Sequence, residues 1–127
     1  MKALLLFLAL SAAGSCSAAY QDWSDTDKKL WKSYIALNVI DTVQTFDLID
    51  KQQDPNYLSI KESNPILGSR PNKGQVVVLK LVLNSMAYRI LDNNPEARTL
   101  TLAIMNGVYI KTTVNNHEVG LRFGVSF

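Results

Sequence analysis

Five residues of this 127-residue chain have the types and spacing to do chemistry: Asp41, Thr45, Glu62, Asn64 and Pro65. Asp41 and Thr45 stand four apart, so on a helix they share one face. Glu62-Ser63-Asn64-Pro65 is a turn stiffened by its proline, able to return to that face. Two carboxylates brought together in a cleft push their pKa values apart and can serve as acid and base in glycan hydrolysis; Asp41 with Glu62 would then cut peptidoglycan. The same residues also make a structural clasp. Asp41 is the only charge between Lys32 and Asp47, and a carboxylate among apolar neighbours needs a partner. Asn64 or loop amides would satisfy it and fix the loop on the helix. Nothing else in the chain resembles a substrate cleft, so the clasp is the expectation and no residue is assigned a catalytic role.

Other chemistries lack their parts. His117 is the only imidazole and sits beside Glu118, which reads as a solvated surface histidine. One cysteine, Cys16, excludes a disulfide framework and any multi-cysteine metal site. There is no glycine-rich phosphate loop and no nucleophile elbow. Neither a cofactor nor a metal is expected. Thirteen Lys and Arg against eleven Asp and Glu leave a net charge of +2, too balanced for a nucleic-acid clamp.

The elements that must position these residues begin after a leader. Lys2, an apolar run over Ala3–Ala13 and small residues to Ala19 have the three-part layout of a secretory signal peptide. Residues 1–19 are therefore expected to direct export, leaving 20–127 as one envelope domain. Ala13-Gly14-Ser15-Cys16 resembles a bacterial lipobox and makes Cys16 a lipidation candidate. An uncleaved leader anchoring the chain in the inner membrane is the alternative.

Ser24, with Asp25 and Asp27 in the first turn, starts a helix running to about Ile49. On it Tyr34, Asn38, Asp41 and Thr45 fall in one stripe. Asp50–Lys73 holds three X-Pro steps and reads as a long loop. Gln75–Leu91 is apolar nearly all round and reads as a buried helix. Asn94-Pro95-Glu96 starts another, Asn94 as N-cap and Pro95 at the first helical position. Asn106-Gly107 is a hairpin signal that competes with that helix. From Val119 to Phe127 apolar residues alternate with others, an extended tail. The fold expected is an all-α bundle of about three helices, with a long proline-containing loop and a short extended C-terminal tail.

Charge divides unevenly: residues 22–54 hold seven acids against four bases, and residues 55–127 four acids against eight bases. The basic half, with Lys73, Lys80, Arg89, Arg98, Lys111 and Arg122, suits anionic lipopolysaccharide held by divalent ions. Trp23 and Trp31 suit a membrane-interface belt, and are equally ordinary as packing residues. With Lys80, Arg89, Arg122, Phe123 and Phe127 they are the candidate membrane contacts.

Asp22-Trp23-Ser24-x-x-Asp27, Asp41-x-x-Gln44-Thr45 and Glu62-x-Asn64-Pro65-Ile66-Leu67-Gly68-x-x-Pro71 together resemble a family of small exported proteins of phages and prophages of Gram-negative bacteria. The ending, from Val114-Asn115-Asn116 through Gly120-Leu121-Arg122-Phe123 to Phe127, is similar too. In overall plan the chain looks like the exported lysis factors of tailless marine phages. That resemblance implies a non-enzymatic protein of the periplasm or outer membrane, which assists host lysis by disrupting the outer membrane alongside other phage lysis proteins. It carries no residue roles. An envelope binding module, acting in superinfection exclusion or capping a membrane complex, is the alternative, and the peptidoglycan-cleaving enzyme a further one.

Overall fold

At the head of the first long apolar run, Ser24 Oγ accepts a hydrogen bond from the Asp27 amide at 3.1 Å. It closes one of the donors a helix start leaves open, a contact worth about 1 kcal/mol. From there helix α1 runs Asp25–Lys51 in the computed structural model, which describes residues 18–54, 56, 66–68, 70–118 and 120–121. One helical turn, Ala18–Gln21, precedes it. Helix α2 spans Lys73–Asp92 and helix α3 Pro95–Glu118. The described residues contain no strand, and the chain is a small all-α bundle of three long helices, as expected. Residues 1–17 of the leader with Cys16, the loop residues Glu62, Asn64 and Pro65, and the tail residues Arg122, Phe123 and Phe127 lie outside the described residues.

Helix α2 starts two residues earlier than its hydropathy indicates, because a capping box precedes it. The Gln75 amide donates to Asn72 Oδ1 and the Asn72 amide to Gln75 Oε1, both at 2.9 Å. At its other end, Asn94 behaves differently from the N-cap expected of it. Its side-chain amide donates backward to the Ile90 carbonyl at 2.7 Å, as Asn93 does to the Arg89 carbonyl at 2.9 Å. Both asparagines finish α2, and Pro95 opens α3 where its missing N–H costs nothing. The hairpin signal Asn106-Gly107 lies inside α3. There the Asn106 amide donates to the Leu102 carbonyl at 2.8 Å and across to the Leu30 carbonyl of α1 at 3.0 Å. Tertiary hydrogen bonding decides this segment against its turn propensity.

Contacts set the helix order. Asp27 meets Thr99 and Arg98, and Gln44 meets Thr113, so α1 and α3 run parallel. Trp23 reaches Asp92 while Asp50 reaches Lys73, so α2 runs antiparallel to both. The apolar core gathers at one end, around Trp23, Trp31, Tyr34, Leu91 and Leu102. Trp23 stacks on Tyr88 at 5.5 Å and 14°, and Trp31 meets the same ring nearly edge-on at 5.8 Å. Trp23 and Trp31 are therefore packing residues, 2% and 4% exposed, rather than the membrane contacts expected. The reason is local: Trp23 Nε1 donates to Asp92 at 2.9 Å, and the Arg98 guanidinium lies 4.5 Å over its ring.

Polarity is distributed unusually. Among the described residues nine hydrophobic side chains are buried, against twelve polar or charged ones. Helix α2, expected to be buried, buries only Val76, Lys80, Asn84 and Leu91. Val78, Val82, Leu83, Met86 and Ile90 stand exposed on it, as do Leu100, Ile104, Val108, Ile110 and Val114 on α3.

Candidate functional site

The stripe Tyr34, Asn38, Asp41 and Thr45 is buried along its whole length, facing inward as its spacing requires. Asp41 finds its partner in a residue the sequence places at the surface. Lys80 Nζ lies 2.5 Å from Asp41 Oδ2, and also donates to the Tyr109 hydroxyl at 3.3 Å. The expectation of Lys80 as a membrane contact is thus corrected. Only 6% of the residue is exposed, because an ammonium held beside a buried carboxylate must stay buried with it. The other Asp41 oxygen accepts from Asn116 at 3.3 Å. Asn116 also donates to Gln44 Oε1 at 3.2 Å, and Gln44 donates to the Thr113 carbonyl at 3.2 Å. All three helices therefore meet at this pair.

One helical turn away lies a second polar group. Tyr34 donates to Asn84 Oδ1 at 2.8 Å, and Asn38 donates to the same oxygen at 3.3 Å. The hydroxyls of Thr42 and Thr45 turn back on their own helix, donating to the Asn38 and Asp41 carbonyls at 2.7 and 2.9 Å. On the outer faces Ser85 and Thr112 do likewise, to the Leu81 and Val108 carbonyls. Ser and Thr hydroxyls within helices commonly take this bond to the carbonyl four residues back.

A third polar group closes the end near Trp23. Arg98 Nε donates to the Leu91 carbonyl at 2.9 Å, and one terminal nitrogen lies 3.8 Å from Asp27. Arg98 is 7% exposed, so it too leaves the basic surface. Burial, and next the neighbouring Tyr88, push the Tyr20 phenol above its ordinary pKa. Lys73 lies 2.7 Å from Asp50. Arg89, His117 and Lys111 remain exposed.

Asp41 is 8% exposed and locked between Lys80 and Asn116, and neither of two open clefts near the start of α2 includes it. Its charge serves the helix interface. Of the five residues singled out by type and spacing, Asp41 and Thr45 share the α1 face; Glu62, Asn64 and Pro65 lie outside the described residues. Among the described residues no three His, Cys, Asp or Glu converge to hold a metal. Sequence reading missed Lys80, Asn84 and Asn116 as the partners of that face. The available signal was a lone polar residue recurring on each apolar helix.

Taken together, the arrangement is an aromatic core at one end, a polar and largely hydrogen-bonded middle, and apolar stripes exposed on α2 and α3. No family model, curated protein or solved structure matches the chain.

Proposed function

We propose that this chain is a non-enzymatic protein of the bacterial envelope which works by contact with a lipid bilayer, assisting host lysis by disrupting the outer membrane. One observation carries the lipid contact: Asn38, Asp41, Gln44, Lys80 and Asn84 are buried in the middle of the bundle while apolar stripes stand exposed on α2 and α3. In water the balance runs the other way, with Lys, Asp, Asn and Gln outside. Among lipid tails an exposed Val or Ile costs nothing, and hydrogen bonds between helices join close packing in holding them together. The leader over residues 1–19 and the likeness to exported phage proteins support the place and the purpose.

The basic surface available for lipopolysaccharide is narrower than the sequence indicates, since Lys80 and Arg98 are spent inside. Arg89 and Lys111 are exposed beside the apolar stripes and would meet anionic headgroups at about 1 kcal/mol each. The test is co-expression with a holin and an endolysin in Gram-negative cells in magnesium-rich medium, following turbidity. Clearing is expected to finish sooner with the chain than without it, and Val82→Asp with Ile104→Asp to abolish the gain. Identical curves with and without the chain would overturn the lysis role.

A second reading draws on the cleft at the start of α2 lined by Val78, Leu79 and Val82. A helix of another membrane protein would fit it, as in superinfection exclusion. Cells making this chain alone would then resist infection without losing viability.

A further inference from the structure

We infer that the three helices cross a bilayer together as one unit, with the Asp41–Lys80 pair held inside the hydrocarbon layer as the polar link between them. This rests on the lipid-contact reading above and adds to it the depth and orientation of the bundle.

Length permits it. The helices have 27, 20 and 24 residues, about 40, 30 and 36 Å at 1.5 Å per residue, against a hydrocarbon core of about 30 Å. Among the described residues α2 alone is apolar enough throughout to cross a membrane by composition, and only 22% of its apolar stretch is buried. A core helix of a water-soluble bundle would be mostly covered. Helices α1 and α3 are less apolar on average; of their polar residues Asn38, Asp41, Gln44, Asn106 and Thr113 are buried, while Lys29, Lys32, Lys111 and Asn115 are exposed.

The charges fall at two levels. Near one end are Lys28, Lys29, Lys32 and Arg89, at the height where the Trp31 and Tyr88 rings meet. At the other are Asp47, Asp50, Lys51 and Lys73, tied by the Lys73–Asp50 and Lys51–Asp47 pairs. Between those levels lie residues 33–46 of α1 and 74–88 of α2, whose only charges are Asp41 and Lys80, paired with each other inside. On α3 the same zone exposes one charge, Lys111, near mid-height of the band; its stem must run along the helix toward the headgroups, and it is the costliest feature of the crossing arrangement. The uncharged band is about 21 to 22 Å tall, which suits a thin bilayer and flanking side chains that reach out of it.

A second copy of the chain would cover the same outer faces in water. Each subunit of such a dimer would keep the aromatic core around Trp23, Trp31, Tyr34, Leu91 and Leu102, so what favours lipid is the middle of the bundle, where Asn38, Asp41, Gln44 and Lys80 are buried under apolar outer faces. The interior here has what a lipid-embedded bundle requires: ionisable groups paired with each other and turned away from the tails.

The test uses the full chain with Cys16→Ser, carrying single cysteines at Val82→Cys, Ile104→Cys, Lys29→Cys or Asn72→Cys. Each is reconstituted in vesicles of phosphatidylethanolamine and phosphatidylglycerol. Nitroxide labels at Val82→Cys and Ile104→Cys are expected deep in the bilayer, colliding with oxygen and shielded from a water-soluble nickel chelate. A membrane-impermeant thiol reagent is expected to reach Lys29→Cys and Asn72→Cys from opposite sides. Labels at headgroup depth, with both end sites reached from one side, would overturn crossing while leaving lipid contact intact. A chain that stays in solution as a dimer, with Val82→Cys shielded, would overturn both.

Discussion

Asp41 and Lys80 lie on different helices, and the 2.5 Å contact between them is largely shielded from water. Removing one partner leaves the other charged and buried, which costs about 3–5 kcal/mol, whereas replacing both with apolar groups is close to neutral. Lys80→Met alone is therefore expected to lower the thermal midpoint of the purified chain in detergent sharply. Asp41→Leu with Lys80→Met should restore most of the loss. Equal losses in the single and double variants, followed by circular dichroism, would mean that the pair does not act as a unit. The need behind this contact was legible in the sequence, since one carboxylate stands alone in an apolar stretch of α1. Its partner was not. Lys80 is a lone cation on an apolar helix, and such a residue reads equally well as a surface anchor until the helices are docked.

Helices are the level at which the sequence speaks most clearly, and the caps show why. Ser24 with Asp27, and Asn72 with Gln75, satisfy donors through neighbours three positions away, so their geometry depends on local spacing alone. Asn106-Gly107 fails as a turn because its outcome depends on a carbonyl of another helix, that of Leu30. Gly107 itself remains a weak point of α3. It is exposed, and a Cβ added there meets nothing within 4 Å. Gly107→Ala should stabilise the helix by about 0.5–1 kcal/mol, seen as a higher midpoint by circular dichroism. A lower midpoint would show that another helix or a partner is seated on this face. The expectation of α2 as a buried helix went astray for a related reason. Uniform hydropathy says that a helix avoids water; it does not distinguish protein from lipid as the surroundings it has instead.

At the scale of the whole molecule the balance between inside and outside matters most. Asn38, Gln44 and Thr42 are fully enclosed, while Leu100, Val78 and Ile104 are more than half exposed. Water would penalise both arrangements, and lipid neither. The apolar stripes should accordingly govern partition: Val82→Asp with Ile104→Asp is expected to move the chain from the membrane pellet to the soluble fraction, whereas Thr26→Asp, exposed in the first turn of α1 and outside the uncharged band, should leave it in place. The most direct measurement is extraction of membranes from cells making the full unaltered chain, using carbonate at high pH, which strips proteins bound only by charge. Retention in the pellet, with release by detergent alone, is the expected result. A chain freed completely into the carbonate supernatant would contradict lipid as the medium that covers α2 and α3.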